Sequence, residues 1–179
     1  MSKAYPKPFP VTRVLVTALS LALYALLVWT RTRQFVEHSD LDGRVTWHAL
    51  QFLGIFVVAI LCGIAVGPRA QSMAQVALAG LQPNNPDKDI DRTLKTVARI
   101  VIAMGMMYPF LWIAPSLNRF LDVHLPLLVE ADTLLYVMGI VTGAGWSILY
   151  EQRAWLGLLA SPALSLLVIS NALVTHSWP

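Results

Sequence analysis

Residues 49–67 read ALQFLGIFVVAILCGIAVG, nineteen positions without a charged side chain. A hydrocarbon core about 30 Å thick is crossed by about 20 helical residues at about 1.5 Å rise each. This stretch therefore has the length and apolarity of a membrane crossing. Working outward, 14–30 precedes it with the same character, and 100–115, 133–150 and 154–174 follow it. Together the five take up most of the 179 residues, which leaves no room for a soluble catalytic domain. The expected fold is an all-α integral membrane protein, a five-helix transmembrane bundle forming one polytopic domain over 1–179.

Composition agrees with the segments. Apolar residues make up 56% and charged residues 13% of the chain, and the mean hydropathy is +0.62. A soluble domain carries about 25% charged residues. The net charge of +3 comes without a basic stripe or zinc-finger spacing, so nucleic acid is not an expected partner. Cys62 is the only cysteine and lies inside the second segment, where it reads as a small apolar packing residue. Lys3, Lys7 and Arg13 ahead of the first segment imitate a signal peptide. The run is long, however, and ends in Trp29-Thr30-Arg31-Thr32-Arg33 without a small-x-small cleavage site, so a retained helix is expected.

Counting basic residues by side predicts the orientation. With a cytoplasmic N-terminus and an external C-terminus, nine Lys and Arg fall inside: Lys3, Lys7, Arg13, Arg69, Lys88, Arg92, Lys95, Arg99 and Arg153. Four fall outside: Arg31, Arg33, Arg44 and Arg119. That is the positive-inside bias. The same arrangement puts Trp29, Trp47, Trp112 and Trp178 near the outer boundary and Tyr150 and Trp155 near the inner one. No N-x-Ser/Thr acceptor occurs, and with the small size this points to a bacterial inner (cell) membrane.

The longest loop is expected over 68–95, on the cytoplasmic side. Within it 70–81 is helix-compatible, with Met73, Val76, Ala77 and Leu81 on one side. Pro83-Asn84-Asn85-Pro86-Asp87 is a turn cluster. Asp87, Asp89 and Asp91 suit the positive N-terminal end of the third helix. They lack the sharp-turn Gly and closing Glu of a calcium loop.

Lipid offers no hydrophobic drive for helix pairing, so small residues mark contact faces. Gly63 and Gly67 in the second segment, Gly139 and Gly143 in the fourth, and Gly157 and Ser161 in the fifth have that spacing. Pro109 and Pro162 are expected to kink their helices. No charged residue is expected at mid-depth, where the polar side chains are Ser20, Tyr24, Thr142, Ser147, Ser161 and Ser165.

All four histidines fall on the outer side: His38, His48, His124 and His176. Asp122, Glu130, Asp132, Glu37, Asp40 and Asp42 accompany them there. Imidazole with carboxylate suits zinc or copper, so His38, His48, His124, His176 and Asp122 are the candidate metal ligands. Their spacing matches no metal signature, and dispersed histidines are the expectation. Haem fits less well, because His48 and His176 sit at the rim rather than inside helices. Met104, Met106 and Met107 read as core gap-fillers rather than soft copper ligands. No nucleophile in a recognisable setting and no phosphate-cradling loop occurs, so no catalytic residue and no cofactor are assigned.

The function expected from these features is that of a non-catalytic integral membrane subunit or assembly factor. Its partners would be the lipid bilayer and other membrane subunits, or further copies of itself, engaged through helix–helix contacts. The alternative is a small channel, transporter or metal-handling protein with a His/carboxylate site on the external face.

Overall fold

A computed structural model describes residues 11–37, 41–81, 87–111, 120 and 124–150. The side chains of 31–50 are not among those described, and the fifth expected segment, 154–174, lies outside the described residues. The described residues form four helices: α1 (Val11–Glu37), α2 (Leu41–Leu81), α3 (Asp87–Leu111) and α4 (Leu125–Tyr150). There is no strand among them. Three stretches are long and apolar enough to cross a membrane: Val11–Thr30, Gly54–Gly80 and Pro126–Tyr150.

α1 shows why lipid is the natural solvent. Val11, Val14, Leu15, Leu19, Leu26 and Trp29 are all exposed, whereas Ser20 is the buried residue of its described part. A soluble helix does the reverse, turning apolar groups inward and polar ones out. The exposed leucines and valines surround most of the helix, too much apolar surface for water to accept.

Side-chain contacts set the directions of the helices. Ser20 of α1 meets Val58 of α2, and Gly54 of α2 lies against Leu27 of α1, so these two run antiparallel. Gly139 of α4 adjoins Ala59 of α2, and Gly67 of α2 adjoins Ser147 of α4, so α2 and α4 run parallel. Gly105 meets Thr142 and Gly145 meets Ala98, which makes α3 antiparallel to α4. The described helices thus alternate up and down. The core between them comprises Phe52, Ile55, Phe56, Ala59, Ile60, Leu128, Leu135 and Tyr136.

Three elements differ from the expectation, α4 by beginning at Leu125 rather than 133. α2 does not stop at 67 but continues through Pro68 to Leu81, 41 residues in all. Proline inside a helix gives up one hydrogen bond, and the Ala, Gln, Met and Leu that follow are strong helix formers. α3 begins at Asp87, well before residue 100. Ile90, Leu94 and Ala98, at i, i+4 and i+8, are buried and give it an apolar stripe, with Arg92, Lys95 and Arg99 exposed beside it. The loop expected over 68–95 therefore shrinks to the segment 82–86. Asp87 and Asp89 stand inside the first turn of α3, and Asp91 pairs with Lys95 at 2.6 Å on its exposed flank. At about half exposure, that pair contributes at most about 0.5 kcal/mol.

Because α3 is half amphipathic, only its second half is continuously apolar, and it is not among the three crossing-length stretches. Its Met104 and Met107 are exposed and only Met106 packs against the core, which corrects the reading of all three as core residues. At this depth lipid offers the apolar contact a protein core would.

Candidate functional site

α2 and α4 approach so closely that side chains would not fit between them. A Cβ on Gly143 would fall on the backbone of Ile60, and one on Gly63 would strike the Ile140 carbonyl and lie 2.8 Å from the Ala144 nitrogen. On Gly139 it would meet Ala59 Cβ at 2.5 Å, and on Gly67 Ser147 Cβ at 2.6 Å. The expected packing glycines of the second and fourth segments thus lie against each other, inside this chain. Gly157 and Ser161 lie outside the described residues.

Toward the Trp29 end of the bundle the contacts turn polar. The Ser20 hydroxyl donates to the Val58 carbonyl at 2.8 Å, and the Tyr136 hydroxyl lies 2.9 Å from Ser20 Oγ. Since the Ser20 proton is engaged by Val58, Tyr136 donates to Ser20. The buried Cys62 thiol adjoins the same phenol. Tyr24 stacks on Tyr136 with ring centroids 4.1 Å apart and planes at 18°. Its hydroxyl lies 2.9 Å from Thr133 Oγ1, which itself donates to the Val129 carbonyl at 2.8 Å. At the rim, Gln51 Nε2 points at Thr30 Oγ1 at 3.5 Å, and Thr30 donates to the Leu27 carbonyl. This polar band joins α1, α2 and α4. From Thr30 to Ser20 it descends ten residues of α1, about 15 Å, or half the hydrocarbon thickness.

Asp132 belongs to this interior and not to an outer loop. It is only 1% exposed. Leu128 one turn before it and Leu135 and Tyr136 one turn after it all face the core. The parallel register of α2 and α4 sets it level with Phe52. Phe52 follows Gln51, which meets Thr30, so the buried carboxyl lies near the Trp29 end of the bundle. The expectation corrected is that Asp132 lies in a loop ahead of the helix; the helix begins at Leu125 and buries it. Its sequence neighbour Glu130 remains exposed. The signal lay in the spacing: the face bearing Gly143 and Gly139, continued backwards by three or four residues at a time, passes Tyr136, Asp132 and Leu128.

The histidines contribute differently. His124 is exposed just ahead of α4, where Nδ1 donates to the Phe120 carbonyl at 2.8 Å and the ring tilts over Phe120 at 4.6 Å. That bond leaves Nε2 as the nitrogen with a free lone pair. His48 lies within α2, but its side chain is outside the described set, as are His38, Asp122 and His176. Among the described residues, no three His, Cys, Asp or Glu side chains come together as metal ligands.

Arg31 and Arg33 of α1 and Arg44 of α2 belong to the Trp29 end. The registers above place Arg13, Arg69, Arg92, Lys95 and Arg99 toward the opposite end, the one bearing Tyr150. Trp29 and Tyr150, both exposed, mark the two rims. Comparison with protein families, with curated proteins and with solved structures finds no match to this chain.

Proposed function

We propose that this protein is a non-catalytic integral membrane subunit or assembly factor that works through helix–helix contacts in a membrane complex. One observation carries the reading. α2 is 41 residues long, about 60 Å, or twice the hydrocarbon thickness. Past Pro68 it runs beyond the level of Tyr150 and holds out Met73, 66% exposed, and Val76, 75% exposed. A Cβ on Gly80 would touch nothing within 4 Å. A projecting helix with bare apolar side chains suits a partner's helix, whereas the glycine faces are already engaged within the chain.

The proposal includes five crossings, with the N-terminus in the cytoplasm, the C-terminus outside and a bacterial inner membrane as the site. The nine-to-four distribution of Lys and Arg over the sequence supports that orientation. The test is purification in mild detergent with mass spectrometry of what co-purifies. A stoichiometric membrane partner that is lost from Met73→Glu/Val76→Glu, while the bundle melts as before, is the expected result. Recovery of this chain alone, or of a partner indifferent to both substitutions, counts against it.

The second reading, a small transporter or metal-handling protein with a site near the outer end, is favoured by the burial of Asp132. The external histidines add less to it, since the described one is engaged with Phe120.

A further inference from the structure

We propose that α3 holds an anionic phospholipid of the leaflet at the Tyr150 end, its phosphate on Arg92, Lys95 and Arg99 and an acyl chain along Ile100, Met104 and Met107. The inference goes beyond the subunit reading and does not rest on it.

The start of α3 at Asp87 creates this surface. In a loop the three cations would share no direction. On a helix they stand at i, i+3 and i+7, on one face, with neighbouring Cβ atoms about 5–6 Å apart. All three are exposed, beside the buried stripe of Ile90, Leu94 and Ala98. Lys95 pairs with Asp91, whereas Arg92 and Arg99 make no ion pair among the described residues.

Depth comes from the register. Gly105 meets Thr142 and Gly145 meets Ala98 in antiparallel helices, which sets Tyr150 between the levels of Arg92 and Arg99. Tyr150 is exposed, and tyrosine at a membrane rim sits among the headgroups. The row of cations is about 10 Å long, and flexible stems let each charged end reach the phosphate layer. Further along the helix the same side becomes apolar. Ala103 and Met107 follow Arg99 at i+4 and i+8, with Ile100 and Met104 beside them, all exposed. From Arg99 to Met107 is about 12 Å, close to half of a hydrocarbon core about 30 Å thick.

That order of surfaces selects the occupant. A phospholipid presents phosphate and then hydrocarbon along its length, as α3 presents cations and then apolar side chains. Guanidinium binds phosphate through paired hydrogen bonds. In a zwitterionic lipid the headgroup ammonium offsets this attraction, so a net negative headgroup is favoured, by about fivefold for each cation near the surface. The projecting part of α2 differs in kind. Met73 and Val76 are exposed there, but 70–81 contains no Lys or Arg, so that segment offers a phosphate nothing.

The test offers the full-length protein, in mild detergent, equal amounts of phosphatidylglycerol and phosphatidylcholine, and reads retained lipid by native mass spectrometry. Phosphatidylglycerol should be retained in preference. Arg92→Gln/Arg99→Gln should lower that preference about 25-fold, and Arg31→Gln/Arg33→Gln, at the Trp29 end, should leave it unchanged. If the double variant melts below the parent, Arg92→Gln alone reads the same effect at about fivefold. Equal retention of the two lipids, or a preference that ignores Arg92 and Arg99, overturns the site. Displacement of the lipid by soluble glycerol phosphate overturns it in favour of a free phosphate ligand. Loss of a co-purifying protein from the double variant, with lipid retention unmoved, gives the cations to an acidic partner and also overturns it. The subunit reading is tested at Met73 and Val76, outside this surface, so the two failures are distinguishable.

Discussion

Replacing Gly143 by alanine adds one methyl group at the tightest point of the bundle. Its Cβ would overlap the Ile60 carbonyl oxygen and lie 3.0 Å from both the carbonyl carbon and Cα of Ile60. Optimal carbon–carbon separation is about 3.5–4.0 Å, so α2 and α4 must part by about 0.5–1 Å at this level. No rotamer relieves the contact, because the obstacle is main chain. A gap of that size forfeits about a quarter to a half of each dispersion contact it opens. The loss spreads along the interlock, where Gly63, Gly67 and Gly139 depend on the same spacing. Overpacking of this kind costs about 1–3 kcal/mol; with backbone as the obstacle we expect about 2–3. At about 2–4 °C per kcal/mol for a chain of this size, the melting temperature in detergent should fall by about 4–12 °C. Gly80→Ala is the internal control. Nothing lies within 4 Å of its added Cβ, and removing a helical glycine gains about 0.5–1 kcal/mol. Thermal unfolding followed by tryptophan fluorescence reads both variants. If Gly143→Ala melts with the parent, or if the two alanines shift the melt in the same direction, the close α2–α4 approach is not what holds the bundle together.

Two further outcomes can be read more quickly. A cysteine at Asp42 in a Cys62→Ala background should react with an impermeant thiol reagent added to intact cells, and reaction only after lysis would reverse the proposed orientation. Ser20→Ala and Tyr136→Phe should each destabilise the protein by about 0.6–1.7 kcal/mol, the range for interhelical hydrogen bonds in membranes. Because they break one shared bond, the double variant should cost less than the sum, and strict additivity would show that the 2.9 Å contact contributes nothing.

Helical character and its membrane setting were legible from the sequence because they rest on summed properties. Twenty apolar residues in a row declare a crossing whatever their neighbours do, and Gly63, Gly67, Gly139 and Gly143 declared a close contact by spacing alone. Boundaries were less legible. Hydropathy ends a helix where charge begins, but a backbone leaving the membrane continues as helix while its residues favour it, as Arg69–Leu81 does. The same effect hid the first half of α3, whose apolar stripe of Ile90, Leu94 and Ala98 is diluted by Arg92, Lys95 and Arg99 in any running average.

Asp132 was missed for a related reason. Starting the fourth helix at 133 put the carboxyl in a loop, where an aspartate needs no explanation. The helix begins at Leu125, and two turns of difference carry the carboxyl from water into the core. Its neighbour Glu130 and the hydroxyl-bearing Thr133 both stay exposed, so the burial belongs to one helical face and is not a general sinking of the segment. That face is the one that brings α4 against α2 through Gly139 and Gly143. A close-packed, glycine-lined interface leaves a polar side chain little room to turn away toward solvent. The small residues that let the helices meet thus also confine the carboxyl. Opening the interlock at Gly143 should therefore loosen the surroundings of Asp132 as well as lower the melting point. Modification of Asp132 by water-soluble carbodiimide should therefore appear in Gly143→Ala and stay absent from Gly80→Ala. If both variants leave Asp132 as shielded as in the parent, the carboxyl is enclosed by something other than the α2–α4 contact.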